Sequence, residues 1–152
     1  MVERNDSIEL NCSTLLRSLE RFVRRHYCDR DCSFSVSRQL ISIDEELNRT
    51  WQKCSEIDDK TIVFLYLLVS HAILDYIDPR TVVCVCLYVT YTYVGTETSY
   101  PLRAFIRNCN CTRERFFGCC LSVVQQCSSL MIRLNADRCY YDKLRRDLMH
   151  YL

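Results

Sequence analysis

The chain has 152 residues, 49% of them hydrophobic and 26% charged, with a formal net charge of +1. That is one domain's worth of ordinary globular composition, and its near-neutrality excludes a general pull toward nucleic acid or an anionic surface. It holds only two glycines, Gly95 and Gly118, and two prolines, where average usage would supply roughly ten glycines. Sandwiches, barrels and dinucleotide-binding folds take their tight turns from Gly and Pro, so the sequence predicts an all-α domain.

The elements read as follows in chain order. A first helix is expected near 13–27, where Leu15, Leu16, Leu19, Phe22 and Val23 share one apolar face and Arg17, Arg21, Arg24 and Arg25 fall off it. A second is expected near 35–53 on Val36, Leu40, Ile43, Leu47 and Trp51. The third, near 60–76 with Asp58 or Asp59 as its cap, is apolar nearly all round and reads as a buried central helix.

The fourth segment, VCVCLYVTYTYV, is written in strand letters. Its punctuation is helical. Asp78 stands at the cap position, Pro79 falls in the first turn, and Gly95 suits a left-handed residue after the last turn. A short helix near 100–108 follows, with Ser99 as its cap, then a long one near 113–134. The inward set expected for the long helix is Phe116, Phe117, Cys120, Leu121, Val124, Cys127, Met131 and Leu134. Asn135–Asp137 ends it and caps a last helix near 138–150, whose inward residues are Tyr140, Tyr141, Leu144 and Leu148. That makes about seven helices arranged around a buried central one, the third of them, in a single domain over 1–152.

Catalysis finds no support. His26, His71 and His150 lie in three different helices without a spaced acidic or nucleophilic partner, and His71 reads as a packed or hydrogen-bonded histidine. Two glycines make neither a P-loop nor a dinucleotide fingerprint. There are twelve cysteines. No signal peptide precedes them, so a reduced, intracellular protein is expected. Cys84 and Cys86 form a C-x-C pair within a helix, where their sulfurs point about 200° apart and cannot share an ion. Cys109 and Cys111 lie in a loop and could share one, but free thiols serving as small core residues are the stronger reading. No metal or other cofactor is expected. The arginine stripe at 17, 21, 24 and 25 reads first as a solvated face, and second as a surface for phosphate or an acidic partner.

Four blocks carry a family resemblance: FLYLLVSHAI, CLYVTYTYVGTETSYPLRAF, CLSVVQQCSSLMIRLNAD and YYDKLRRDL. They resemble, in order and over roughly residues 10–150, the activator subunits of cyclin-dependent kinase 5. The G-x-E-x-SYPL and LNAD blocks are the specific ones. The resemblance implies a cyclin-box-like fold and a regulatory subunit without chemistry of its own. It implies a heterodimer with cyclin-dependent kinase 5 or a close relative, a proline-directed Ser/Thr kinase. Such activators hold the kinase's small-lobe helix inward and its activation loop open without requiring that loop to be phosphorylated.

By the same resemblance the kinase-facing residues are Lys60 and Thr61 at the start of the central helix, and Val94, Thr96, Glu97 and Thr98 in the turn after the fourth. Gly118 and Gln125 on the long helix complete the set. Leu15, Leu19 and Phe22 are expected in packing, and Ser99, Tyr100 and Pro101 as a helix start rather than as contacts. The chain departs from the family at several of these places. Gly118 stands in FGCC where members carry Asp in WDRC, Gln125 stands where they carry Asn, and Thr98 where they carry Ile. Gly118 and Thr98 favour a rival reading, an adaptor that binds a kinase or another partner without activating it. A second rival is a cysteine-rich metal or redox protein. Val2 follows Met1 where a myristoylation signal needs Gly, so no myristoyl anchor is expected. The expected location is the cytoplasm, with the nucleus as a second compartment.

Overall fold

Thr61 to Val69 are nine consecutive buried residues. A helix buried on every side needs neighbours on every side, and the rest of the fold supplies them. The computed structural model describes residues 2–28, 34–51, 57–74, 78–95 and 100–152, with side chains in the first helix described from Thr14 onward and those of Thr50 and Trp51 left undescribed. Among the described residues there are seven α-helices and no strand. They are α1 (Val2–Tyr27), α2 (Val36–Trp51), α3 (Asp59–His71), α4 (Pro79–Val94), α5 (Leu102–Ile106), α6 (Arg113–Ala136) and α7 (Arg138–Met149).

The central helix α3 packs against α4, α1, α6 and α7, while α4 packs against α3, α6, α5 and α2. The centre is therefore a pair. In α4 every residue from Thr81 to Leu87 is buried, and so are Val89, Thr90 and Tyr91. This explains a helix spelled with β-branched residues. Each Val costs at most about 0.7 kcal/mol in helix propensity, whereas full burial of such a side chain is worth about 1.5–3 kcal/mol. The caps fix the start. The Asp78 carboxylate accepts the Thr81 N–H at 2.7 Å, with Pro79 in the first turn. Asp58 does the same for α3, accepting from the Thr61 N–H at 2.9 Å.

Several boundaries differ from expectation for identifiable reasons. The backbone of α1 is helical from Val2, well before residue 13. Helix α3 ends at His71 rather than 76 because Ile73 is taken out of the helical ladder: its N–H donates to Gln126 Oε1 at 2.7 Å and its carbonyl accepts from Gln126 Nε2 at 3.1 Å. Helix α2 is capped locally by Ser35, whose hydroxyl accepts from the Arg38 N–H at 3.3 Å, and also across space. Glu20 of α1 accepts from Val36 N at 3.0 Å, Ser37 N at 3.3 Å and the Ser35 hydroxyl at 3.0 Å, placing a carboxylate at the positive end of α2. Asp137 ends α6 and caps α7 as expected, accepting from Cys139 N and Tyr140 N. Helix α5 starts after Pro101 with no side-chain cap; the cap expected at Ser99 lies outside the described residues.

Gly95 is not left-handed. Its φ of −74° and ψ of 169° are extended backbone. Glycine is needed there for room: a Cβ would stand 2.5 Å from the Tyr91 carbonyl oxygen and overlap the Tyr100 hydroxyl. Tyr100 is buried against Tyr91, ring centroids 5.3 Å apart, with Phe105 beyond. The ring of Tyr100 thus closes back over the end of α4, where the sequence implied the start of the next helix, which begins at Leu102.

Gly95→Ala is expected to lower unfolding free energy by about 1–3 kcal/mol through overpacking. A urea denaturation midpoint measured against the parent chain checks this.

Candidate partner-binding face

Helix α6 lies on the α3–α4 pair with one side only. Phe116, Cys120, Val123, Cys127, Met131 and Leu134 are buried. Phe117, Leu121, Val124 and Ile132 are 51%, 54%, 40% and 60% exposed. At about 100° per residue the exposed four form one stripe along the helix, roughly 100° round from the buried face. Three of them, Phe117, Leu121 and Val124, were expected inside, and Val123, which is inside, was not in the expected set. The signal was present in the sequence. The apolar residues of α6 span too wide an arc for a helix that packs on one side, so part of the set had to face out.

Gly118 and Gln125 stand beside this stripe, seven residues apart and both exposed. They lie roughly 10 Å apart along the axis and point away from the packed side. A Cβ on Gly118 would meet nothing within 4 Å. No packing requirement explains the glycine, and a longer side chain there would project into open space.

Lys60 and Val94 lie at the other end of the central pair, connected through Phe64 and Tyr93. Lys60 is exposed, with its ammonium 5.9 Å from the Phe64 ring centroid, and that ring lies 5.7 Å from Tyr93, the neighbour of Val94. Val94 is half-buried against the core and Tyr93 is 39% exposed. Lys60 also lines a surface groove with Asn135, Ala136, Arg138 and Tyr141, which ties this end to the C-terminal end of α6. Thr61 does not belong to this surface. It is 2% exposed, and its hydroxyl donates to Asp58 Oδ1 at 2.9 Å. Its place three residues after the cap turns it into the fold, where it completes the helix start. Thr96, Glu97 and Thr98 lie outside the described residues.

The remaining candidates serve the fold. Leu15, Leu19 and Phe22 are buried, and Phe22 meets Tyr66 and Tyr151 edge-on, both with ring centroids 5.1 Å apart. His71 is exposed, and its Nδ1 lies 3.0 Å from the Leu67 carbonyl. Cys84 and Cys86 are both buried, and Cys84 donates to the Asn108 carbonyl at 3.5 Å. Among the described residues, no group of three or more His, Cys, Asp or Glu side chains is placed to hold a metal ion. By length and composition α6 is apolar enough to cross a membrane, yet one side of it is packed on protein and Gln125, Gln126, Ser128, Ser129 and Arg133 interrupt the rest.

A family model described as cyclin-dependent kinase 5 activator protein matches residues 1–152. The chain belongs to that family. It is 34% identical over 150 residues to cyclin-dependent kinase 5 activator 1 of Homo sapiens, covering 93% of this chain and 48% of the relative. It is 31% identical over 151 residues to human cyclin-dependent kinase 5 activator 2, covering 93% of this chain and 40% of that one. Activator 1 of Caenorhabditis elegans is 31% identical over 158 residues, covering 97% of this chain and 44% of the relative. The chain spans about half the length of these relatives or less. Their names make them regulators of a kinase, not enzymes.

Gly118→Ala is expected to raise stability by about 0.5–1 kcal/mol, since it removes a mid-helix glycine from open space. A rise in thermal midpoint at unchanged helical circular dichroism checks it.

Proposed function

We propose that this chain is a regulatory subunit that binds and activates a cyclin-dependent kinase of the cyclin-dependent kinase 5 type. The observation that carries this reading is the unpartnered apolar stripe of α6, flanked by the two positions, Gly118 and Gln125, where the family resemblance puts kinase-facing residues. The Lys60 and Val94 end of the central pair is the second contact region, leading into the 94–98 turn. Such a subunit works by binding the active conformation of the kinase more tightly than the inactive one. It supplies no reacting group.

The magnitudes are compatible with that role. Phe117, Leu121, Val124 and Ile132 are each roughly half exposed, so completing their burial is worth about 1 kcal/mol apiece. Together they reach about 4 kcal/mol, against the ~5.5 kcal/mol of differential binding that would turn a kinase from 1% to 99% active. Association itself has a cost, so polar contacts at Gln125, Lys60 and the 94–98 turn have to supply the balance.

Gly118 favours a second reading, an adaptor that docks without activating. Family members carry a carboxylate there. A charged hydrogen bond of that kind contributes about 1.5–3 kcal/mol when buried, and this chain forgoes it.

The test mixes the chain with unphosphorylated cyclin-dependent kinase 5 and follows phosphorylation of a Ser-Pro peptide. Stimulation of at least tenfold by the parent chain, lost in Leu121→Asp and increased in Gly118→Asp, is the expected result. Stable binding with no stimulation would replace the activator reading with the adaptor. Absence of binding would remove the activator reading for this kinase and leave an adaptor for another partner.

A further inference from the structure

Three of the four arginines on the polar side of α1 do more than face water. Arg21, Arg24 and Arg25 converge with His150, Tyr151 and Leu152 on a surface cavity of about 580 Å³, at the C-terminal ends of α1 and α7. Arg17, the fourth, lies one turn earlier and is not among the walls. Each of the three is positioned by the fold. Arg21 donates to the Leu152 main-chain carbonyl, which ties α1 to the segment after α7. The Arg25 guanidinium stands 5.9 Å from the centroid of the Tyr151 ring. That ring is held in turn by Phe22 and Tyr66, with centroids 5.1 Å and 6.5 Å away. Arg24 lies 3.4 Å from Glu20, but the Glu20 carboxylate also accepts from Ser35, Val36 and Ser37, so its charge is shared with the start of α2. Offsetting the helix dipole accounts for basic residues in a last turn. It does not account for their convergence, with an aromatic ring, around a cavity.

We propose that this groove binds the phosphoryl group of a phosphoserine or phosphothreonine on a partner protein. Such a group carries close to two negative charges and three strong acceptor oxygens. Planar guanidinium forks bind it bidentately, where an ammonium would offer only a point charge. The chain is close to neutral overall, so it has no general pull toward an anionic membrane surface, and the local charge has to meet a discrete group. The cavity is larger than one phosphate. It leaves room for the residues on either side, and Tyr151 offers them an aromatic wall. None of the lining residues is a kinase-facing position of the preceding proposal. The choice of ligand rests on that proposal in one respect: a Ser/Thr kinase makes phosphoserine and phosphothreonine. A regulatory subunit with this groove holds phosphorylated protein beside the enzyme and favours a second phosphorylation of the same molecule.

The test uses the chain without kinase. Its failure then leaves the kinase reading intact, and failure of the kinase assay leaves this result standing. Fluorescence anisotropy follows a labelled Ser-Pro peptide in three forms, with Ser, phosphoserine or Glu at the acceptor position. The expected result is at least tenfold tighter binding of the phosphoserine form than of either other form. Arg25→Ala, at an exposed position, should keep the helical circular dichroism and lose that preference. Arg25→Lys should restore only part of it, and Arg17→Ala should leave it unchanged. Vesicles of phosphatidylcholine with phosphatidylinositol bisphosphate should leave the chain in solution. Equal binding of the Glu and phosphoserine peptides, equal loss in Arg17→Ala and Arg25→Ala, or no binding of the phosphoserine peptide would overturn the proposal. So would sedimentation with the vesicles that Arg25→Ala abolishes, which would assign the groove to a lipid headgroup instead.

Discussion

The structure depends on the burial of α3. A segment with nine successive buried side chains has no polar face to give to water, so it forms a stable helix only when other helices surround it. That one constraint sets the positions of the rest. Helix α4 lies beside it and is nearly as buried, α1 and α7 cover a second side, and α6 covers a third. The caps at Asp58 and Asp78 fix where the two central helices begin, and with them the register in which all the others pack.

The same constraint produces the candidate surface. Helix α6 has more apolar residues than its contact with the central pair can absorb. Its surplus, Phe117, Leu121, Val124 and Ile132, is left on the outside as one line rather than scattered. Isolated exposed apolar residues are ordinary, but a continuous stripe is a mark of association. Two of the residues that the family resemblance assigns to the kinase, Gly118 and Gln125, sit on its flank. Gly118 costs helix stability and fills no packing need, so its presence is a property of the surface and not of the fold.

Much of this was legible in the sequence because it rests on local signals. The capping aspartates, Pro79, the all-round apolar α3 and the Asn135–Asp137 break are each decided by a few neighbouring residues. What was missed rests on contacts between distant segments. The Ser35 cap of α2 is supplemented by Glu20 in another helix. The early end of α3 is set by Gln126, 53 residues away from Ile73. Gly95 was assigned to a left-handed turn on its identity alone, whereas its role is clearance for Tyr100. Thr61 was placed on the kinase-facing surface by the family resemblance, and the cap geometry turns it inward. In α6 the periodicity was read as one face when two were present. The arithmetic of helical angles separates Phe117 from Phe116 but does not say which of them meets the core.

The central claim is that the outer stripe of α6 is where the kinase docks. The most direct measurement is the dissociation constant for unphosphorylated cyclin-dependent kinase 5, by isothermal titration calorimetry, for the parent chain, Leu121→Asp on the stripe and Arg17→Asp on the exposed side of α1. The account predicts at least a hundredfold weakening for Leu121→Asp, about 2.7 kcal/mol, and less than threefold for Arg17→Asp, with thermal midpoints of both variants close to the parent. Equal affinities for the parent and Leu121→Asp would contradict it and move the docking surface off α6.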